Sequence, residues 1–407
     1  MRKPLAVTGF ALAILAGYLA WTGPPHCAVL PPSPIGPTIE WTFEAPDPGG
    51  FLAAPWVEDD TITLSAVLTW GLTQRGAVYA VDRATGKQLW AFDADRGMRP
   101  SASAPVRAGG KVFVGEGMHA DFVCRLFALD ARTGLPAWHL TANDHIETAP
   151  TVVGDTVYAS AGNAGVYAVD AATGREKWHF ERDLHIDTRP AVADGRVVVG
   201  SGPSRRFRTL AVVALSQTDG RLLWETPVDL PAWGSPNVSG GRVFVGLGNG
   251  RLTEPARPPA VPAGALLCLD AATGREIWRT RVPDAVFQRP TNGGPTIYFG
   301  CRDGSVTRAA ADTGTIAWRT DLGGPVVAPV ALADGRLVAV TQTGTLVSLD
   351  AATGAVTWRF NLKGHTQAEP LCVAAPVVRA GRLYLAAEID TPAGRVASLY
   401  CFRMPNE

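Results

Sequence analysis

Apolar residues recur along most of the chain in short runs divided by turns rich in Gly, Asp, Thr and Pro. The stretch from Ala149 to Phe180 shows the unit in its plainest form: APTVVGD, TVYASAG, VYAVDAA and EKWHF. Each run is apolar or alternating, too short for a helix, and bounded by turn formers, so four antiparallel strands A to D are predicted. The Thr173-Gly174 pair fits the C–D hairpin, where Gly supplies a positive φ and the Asp170 carboxylate caps the turn.

This unit repeats. VYAVDRATGKQLW ends at Trp90, LFALDARTGLPAW at Trp138, VYAVDAATGREKW at Trp178 and VVALSQTDGRLLW at Trp224. LLCLDAATGREIW, VTRAAADTGTIAW and LVSLDAATGAVTW follow, ending at Trp278, Trp318 and Trp358. The tryptophans are spaced 48, 40, 46, 54, 40 and 40 residues apart, a basic unit of 40 with insertions. That length suits one propeller blade, and the Trp on the outermost strand is expected to pack on a neighbouring blade.

The two ends complete one another. After Trp358 come A, B and C strands (AEPLCVAAPVV, GRLYLAAEI, VASLYCF) without a D strand, while TIEWTFEAP, with Trp41, is a D strand lacking the other three. The expected fold is therefore all-β: an eight-bladed β-propeller of four-stranded antiparallel blades, closed by pairing of the N-terminal strand with the C-terminal blade. It occupies residues 39–407.

Before it, residues 22–38 form a Pro-rich stalk. Residues 1–21 carry Arg2 and Lys3 and then an apolar run from Leu5 to Trp21, read as an export signal or a membrane anchor. Residues with small side chains are missing at −3 for cleavage after Gly17 or Ala20, and Pro24-Pro25-His26 ahead of Cys27 departs from a lipidation pattern. An extracytoplasmic location is expected. The 407 residues are 46% hydrophobic, enough for a large core, and Lys+Arg balances Asp+Glu at 37 each. That balance argues against a nucleic-acid partner, which needs a basic face. The six cysteines include no CxxC and no adjacent pair, so no metal knuckle or redox motif is read.

The pattern Ala-x-Asp-x-x-Thr-Gly-x-x-x-Trp resembles the repeat of PQQ-like propellers, a family that includes quinoprotein dehydrogenases and BamB-type outer-membrane assembly proteins. Ala80-Asp82-Thr85-Gly86-Trp90, Ala168-Asp170-Thr173-Gly174-Trp178, Asp270-Thr273-Gly274-Trp278 and Asp350-Thr353-Gly354-Trp358 carry it; Ser216 and Ala310 replace the Asp in two copies. For the dehydrogenase branch the resemblance implies PQQ, Ca²⁺, an Asp base and a disulfide between adjacent cysteines, and no adjacent cysteines exist here. The BamB-like branch implies a non-catalytic scaffold that binds an envelope or membrane protein, without a cofactor. No Ser-His-Asp elbow, P-loop or HExxH suggests other catalysis.

Nearly all extra length falls between strands B and C: Trp70 to Arg75, Gly115 to Phe122, Gly202 to Arg208, Gly248 to Ala263 and Asp390 to Gly394. One face is thus elaborated, and loops on a rigid scaffold commonly bind. The A strands align on Pro55, Pro105, Pro150, Pro190, Pro236, Pro290, Pro329 and Pro370. In this alignment His145, His185 and His365 stand five residues before the proline, Glu147 and Asp187 three before it, and Arg189, Arg289 and Glu369 directly before it. These eight residues are the expected binding set at the channel mouth, either hydrating the channel or, through the two arginines, receiving a peptide or small anion. No metal is assigned, because His365 lies blades away from His145 and His185.

Overall fold

A computed structural model describes residues 36–70, 73–93, 97–119, 121–250 and 261–405. Eight antiparallel sheets follow one another along the chain, six of them four-stranded and two with a fifth short strand. Within blade 3 the order is Thr151–Val153, Thr156–Ser160, Val166–Asp170 and Glu176–Phe180, as predicted for strands A to D. A strands of neighbouring blades contact one another and so surround the axis. The predicted signal or anchor, and the stalk up to residue 35, lie outside the described residues.

Closure takes the predicted form. Thr38–Glu44 pairs antiparallel with Gly394–Arg403, running from Thr38 opposite Arg403 to Glu44 opposite Ser398. Glu40 adds ion pairs to Arg382 at 2.5 Å and Arg403 at 2.6 Å. Arg382's hydrogen bond is the main reason that the Glu40 carboxyl sits below the ordinary glutamate range, with Arg403 adding to it and partial burial opposing.

The repeat motif is a device for joining blades. Asp170 accepts hydrogen bonds from the Thr173 amide at 2.8 Å and hydroxyl at 2.7 Å, which fixes the C–D turn. Gly174 follows with φ +76°, and a Cβ there would lie 2.7 Å from the indole of Trp138 in the preceding blade. Glycine is thus required twice over, by backbone conformation and by the ring lying on it. Trp138 in turn donates from Nε1 to the Ala171 carbonyl at 3.2 Å. Trp178 does the same one blade on, with Gly220 under its ring and the Gln217 carbonyl at 3.1 Å. Burying each indole stabilises by about 2–3 kcal/mol.

Trp41 and Trp358 lack this donation: neither Nε1 has a hydrogen-bond partner, although the Trp41 ring still lies on Gly86. Trp358 is 1% exposed, and the blade after it is the composite one, whose C and D strands come from opposite ends of the chain, so no C–D turn lies there to offer a carbonyl.

Two blades depart from the sequence register. In blade 3, Pro150 precedes Thr151, which pairs with Tyr158. The equivalent pair in blade 8 is Val377 with Tyr384, so Pro376 rather than Pro370 is the shared position. Glu369–Leu371 forms an extra strand beyond it, preceded by a one-turn helix at Leu362–Thr366. In blade 7 Ala331 pairs with Val338, which puts Val330 at the shared position in place of Pro329. Proline alone was an ambiguous marker, because both blades hold more than one.

The elaborated face is also present. The B–C loops of blades 1 and 8 are continued hairpins, with Thr61–Trp70 on Thr73–Asp82 and Arg382–Thr391 on Gly394–Arg403. Most of the predicted blade 5 loop lies outside the described residues.

Candidate functional site at the channel mouth

The connections that enter the A strands pass between B–C turns of adjacent blades and are tied to them by backbone hydrogen bonds. The Ile146 amide donates to the Glu116 carbonyl at 2.9 Å, that of Ile186 to Gly162 at 3.0 Å, and that of Gly202 to His185 at 3.0 Å. His145, His185 and Asp187 are consequently held by three blades at once. Gly162, at φ +49°, makes room: a Cβ there would stand 2.8 Å from Cε1 of His145.

Four of the eight predicted residues meet here, joined by others outside the predicted set. His119, from the blade 2 B–C loop, stacks on His145 with ring centroids 5.0 Å apart. The His185 ring lies 5.5 Å from that of His145 and 5.7 Å from that of His119. All three Nε2 atoms converge on Asp187: His145 at 2.9 Å from Oδ1, His185 at 2.6 Å and His119 at 3.3 Å from Oδ2. Glu147 contacts His119 Nδ1 at 2.6 Å and His145 Nε2 at 3.8 Å. Asp144, also unforeseen, contacts His145 Nδ1 at 2.7 Å and is itself bound by the backbone and side-chain amides of Asn163 at 2.9 and 2.6 Å.

The carboxylates and imidazoles of this cluster shift one another. Burial opposes a charged ring at His145, but the Asp187 charge and hydrogen bonds to Asp144 and Asp187 outweigh it and push the ring up to about 11. The Glu147 hydrogen bond raises His119. Asp187 is desolvated, yet His145 and His185 hold its carboxyl well below the usual range.

Arg189 and Arg289 form a second feature, from blades 4 and 6. Arg189 donates from Nε to the Thr151 hydroxyl at 3.1 Å, and its backbone amide donates to the Ser235 hydroxyl at 3.0 Å. Burial and then the charge of Arg289 lower its guanidinium to about 10. Arg289 is reached by solvent but is lowered as well, through lost hydration between the blades. Among the described residues no carboxylate pairs with either guanidinium.

His365 and Glu369 do not join these groups. His365 is exposed on the one-turn helix against Phe360, and Glu369 forms an ion pair with Lys363. Both were drawn into the predicted set by aligning blade 8 on Pro370; with Pro376 at the shared position, neither occupies a channel-mouth register. His119 had one sequence signal, its place in a lengthened B–C loop, although spacing alone did not connect it to His145.

These features define the chain as a closed propeller of PQQ-like repeats with a polar mouth on its loop-rich face. It belongs to the family described as outer membrane protein assembly factor BamB, whose model matches residues 74–202, 183–255, 260–320 and 302–399. No curated protein matches its sequence. Among solved structures, BamB from Moraxella catarrhalis is similar at 16% identity and a TM-score of 0.65, over 92% of this chain and 99% of that one. A europium-containing methanol dehydrogenase is similar at 14% identity and 0.65, over 91% and 95% of the two chains. A quinohemoprotein alcohol dehydrogenase from Pseudomonas putida HK5 is similar at 16% and 0.62, over 92% and 78%. At such identities these likenesses speak for the fold, which enzymes and non-enzymes share.

Proposed function

We propose that the protein is a non-catalytic binding scaffold of the cell envelope, facing the periplasm, which holds a partner protein at its loop-rich mouth. The observation that supports this most is the pair Arg189 and Arg289, one half-buried and one open to solvent, neither with a protein carboxylate among the described residues. Such a pair favours an anionic side chain or terminus of a partner, each contact contributing about 1.5–3 kcal/mol. Membership of the BamB family agrees with a protein partner.

The test is affinity capture from solubilised envelope extract with the full chain and with the double variant Arg189→Ala and Arg289→Ala. We expect a reproducible partner for the parent protein, recovery reduced about tenfold or more for the variant, and an unchanged melting temperature. Unchanged recovery, or a variant that unfolds while its folded fraction still binds, would make the arginines structural braces.

Similarity in fold to quinoprotein dehydrogenases motivates a second reading, with PQQ and Ca²⁺ as cofactors. The residues do not match the expectation attached to that branch. No two cysteines are adjacent in sequence, and the five described are buried free thiols. Burial pushes Cys372 up to about 12. Dye reduction after addition of PQQ and Ca²⁺ decides this reading directly: turnover would establish the enzyme and displace the scaffold proposal.

A further inference from the structure

We propose that His119, His145, His185 and Asp187 bind one divalent first-row transition ion, zinc by preference, at the mouth between blades 2, 3 and 4. This inference is independent of the partner-binding reading.

The ligand atoms of these residues all lie within 4.8 Å of one another. A tetrahedral ion with Zn–N bonds of about 2.0–2.1 Å sets ligand atoms about 3.3 Å apart. The contacts from Asp187 to the three imidazoles, at 2.6, 2.9 and 3.3 Å, need shifts below 1 Å to reach it.

Orientation supports the assignment more than proximity does. Each Nδ1 is engaged from behind by an oxygen: Glu147 on His119, Asp144 on His145 at 2.7 Å, and the Asn163 side-chain oxygen on His185 at 3.1 Å. The Asn163 side-chain nitrogen donates to Asp144, which turns the side-chain oxygen towards Nδ1 of His185 and leaves Nε2 of that ring facing Asp187. Carboxylate or amide partners behind metal-binding imidazoles fix ring angle and tautomer in this manner.

The front of the cluster is incompletely satisfied. Nε2 of His185 and Oδ2 of Asp187 are both buried and 2.6 Å apart, yet their geometry makes no hydrogen bond and neither has another partner. His119 Nε2 likewise approaches Oδ2 at 3.3 Å without a hydrogen bond. Asp144, Glu147 and Asp187 have no Lys or Arg ion-pair partner among the described residues and face only the imidazoles, so a bound ion would take the place of the ring protons that now answer these carboxylates.

Ligand chemistry selects the ion. Three imidazoles and one carboxylate suit Zn²⁺, Cu²⁺, Ni²⁺ or Fe²⁺. Ca²⁺ and Mg²⁺ require a shell of oxygens that is not available here. His119 is 60% exposed, which gives the ion a way in and makes this residue the last ligand to close.

The experiment uses the full, untagged chain stripped with chelator, then titrated with ZnCl₂ by calorimetry and with CoCl₂ by visible absorption. We expect one ion per chain, Co²⁺ d–d bands of four-coordinate intensity, and bleaching of those bands by Zn²⁺. His119→Ala and Asp187→Asn should each weaken Zn²⁺ binding at least about 100-fold, and Asp144→Asn, behind His145, about 10–100-fold. The Arg189→Ala, Arg289→Ala variant should bind the ion normally, which separates this site from the anion-binding proposal. Absence of stoichiometric binding by the parent chain would overturn the assignment. So would equal affinity in the parent and in His119→Ala, a substitution on an exposed loop that leaves the fold intact even if Asp187→Asn does not.

Discussion

On the turn face of the propeller, Trp138 and Trp178 meet the next blade in the same way, each over a turn glycine and each donating to a carbonyl. On the opposite face the same blades present His145 with Asp144 in one connection and His185 with Asp187 in the next, with no repetition around the ring. The first face is governed by packing, where one solution recurs around most of the ring. The second gathers polar groups from three blades into a single arrangement. In a repeat protein, departures from the repeat are where chemistry can be placed without loss of the scaffold.

Removing the closing strand, residues 38–44, should break this comparison most severely. The outer edge of Gly394–Arg403 would be left unpaired, so we expect aggregation or a large fall in melting temperature, whereas truncation ending at residue 35 should leave it unchanged. Next, Trp178→Ala should cost about 3–5 kcal/mol through the cavity opened between blades, measured by chemical denaturation, with the histidine cluster intact in whatever remains folded.

Smaller effects sharpen the same contrast. Trp224 donates to the Ala271 carbonyl at 3.1 Å, whereas Trp358 has no acceptor. Trp224→Phe should therefore cost about 1 kcal/mol more than Trp358→Phe; equal losses would show that the missing turn carbonyl has no energetic consequence. The smallest effect concerns Glu40. Its pKa is lowered in the folded chain, so its contribution is present above the unfolded value of about 4.3 and is lost as pH falls through the folded value. Glu40→Gln should lower the melting temperature slightly at neutral pH, and the difference from the parent should vanish in acid.

The blades were legible because the signals that build them are local. Asp170, Thr173, Gly174 and Trp178 lie within one hairpin, so turn chemistry and strand alternation can be read together. Blade closure was legible from the unmatched strands at the two ends. The candidate cluster was legible only in part: His145, Glu147, His185 and Asp187 fall at positions fixed by the repeat, as do Arg189 and Arg289 outside it. His119, Asp144 and Asn163 do not, and only the ring geometry brings them together. The error at His365 and Glu369 has the same root: Pro370 and Pro376 look alike until hydrogen-bond register distinguishes them.

Pairing of Thr38 with Arg403 spans 403 − 38 = 365 positions of the chain. During synthesis Thr38–Glu44 must therefore wait for Gly394–Arg403, and the ring stays open until that strand has been made. The added entropy of so long a closure is modest. Relative to a ten-residue hairpin it amounts to about five doublings of loop length, or about 3 kcal/mol. The kinetic consequence is larger, because a contact of such range forms late, and until then both Thr38–Glu44 and Gly394–Arg403 remain open to other chains.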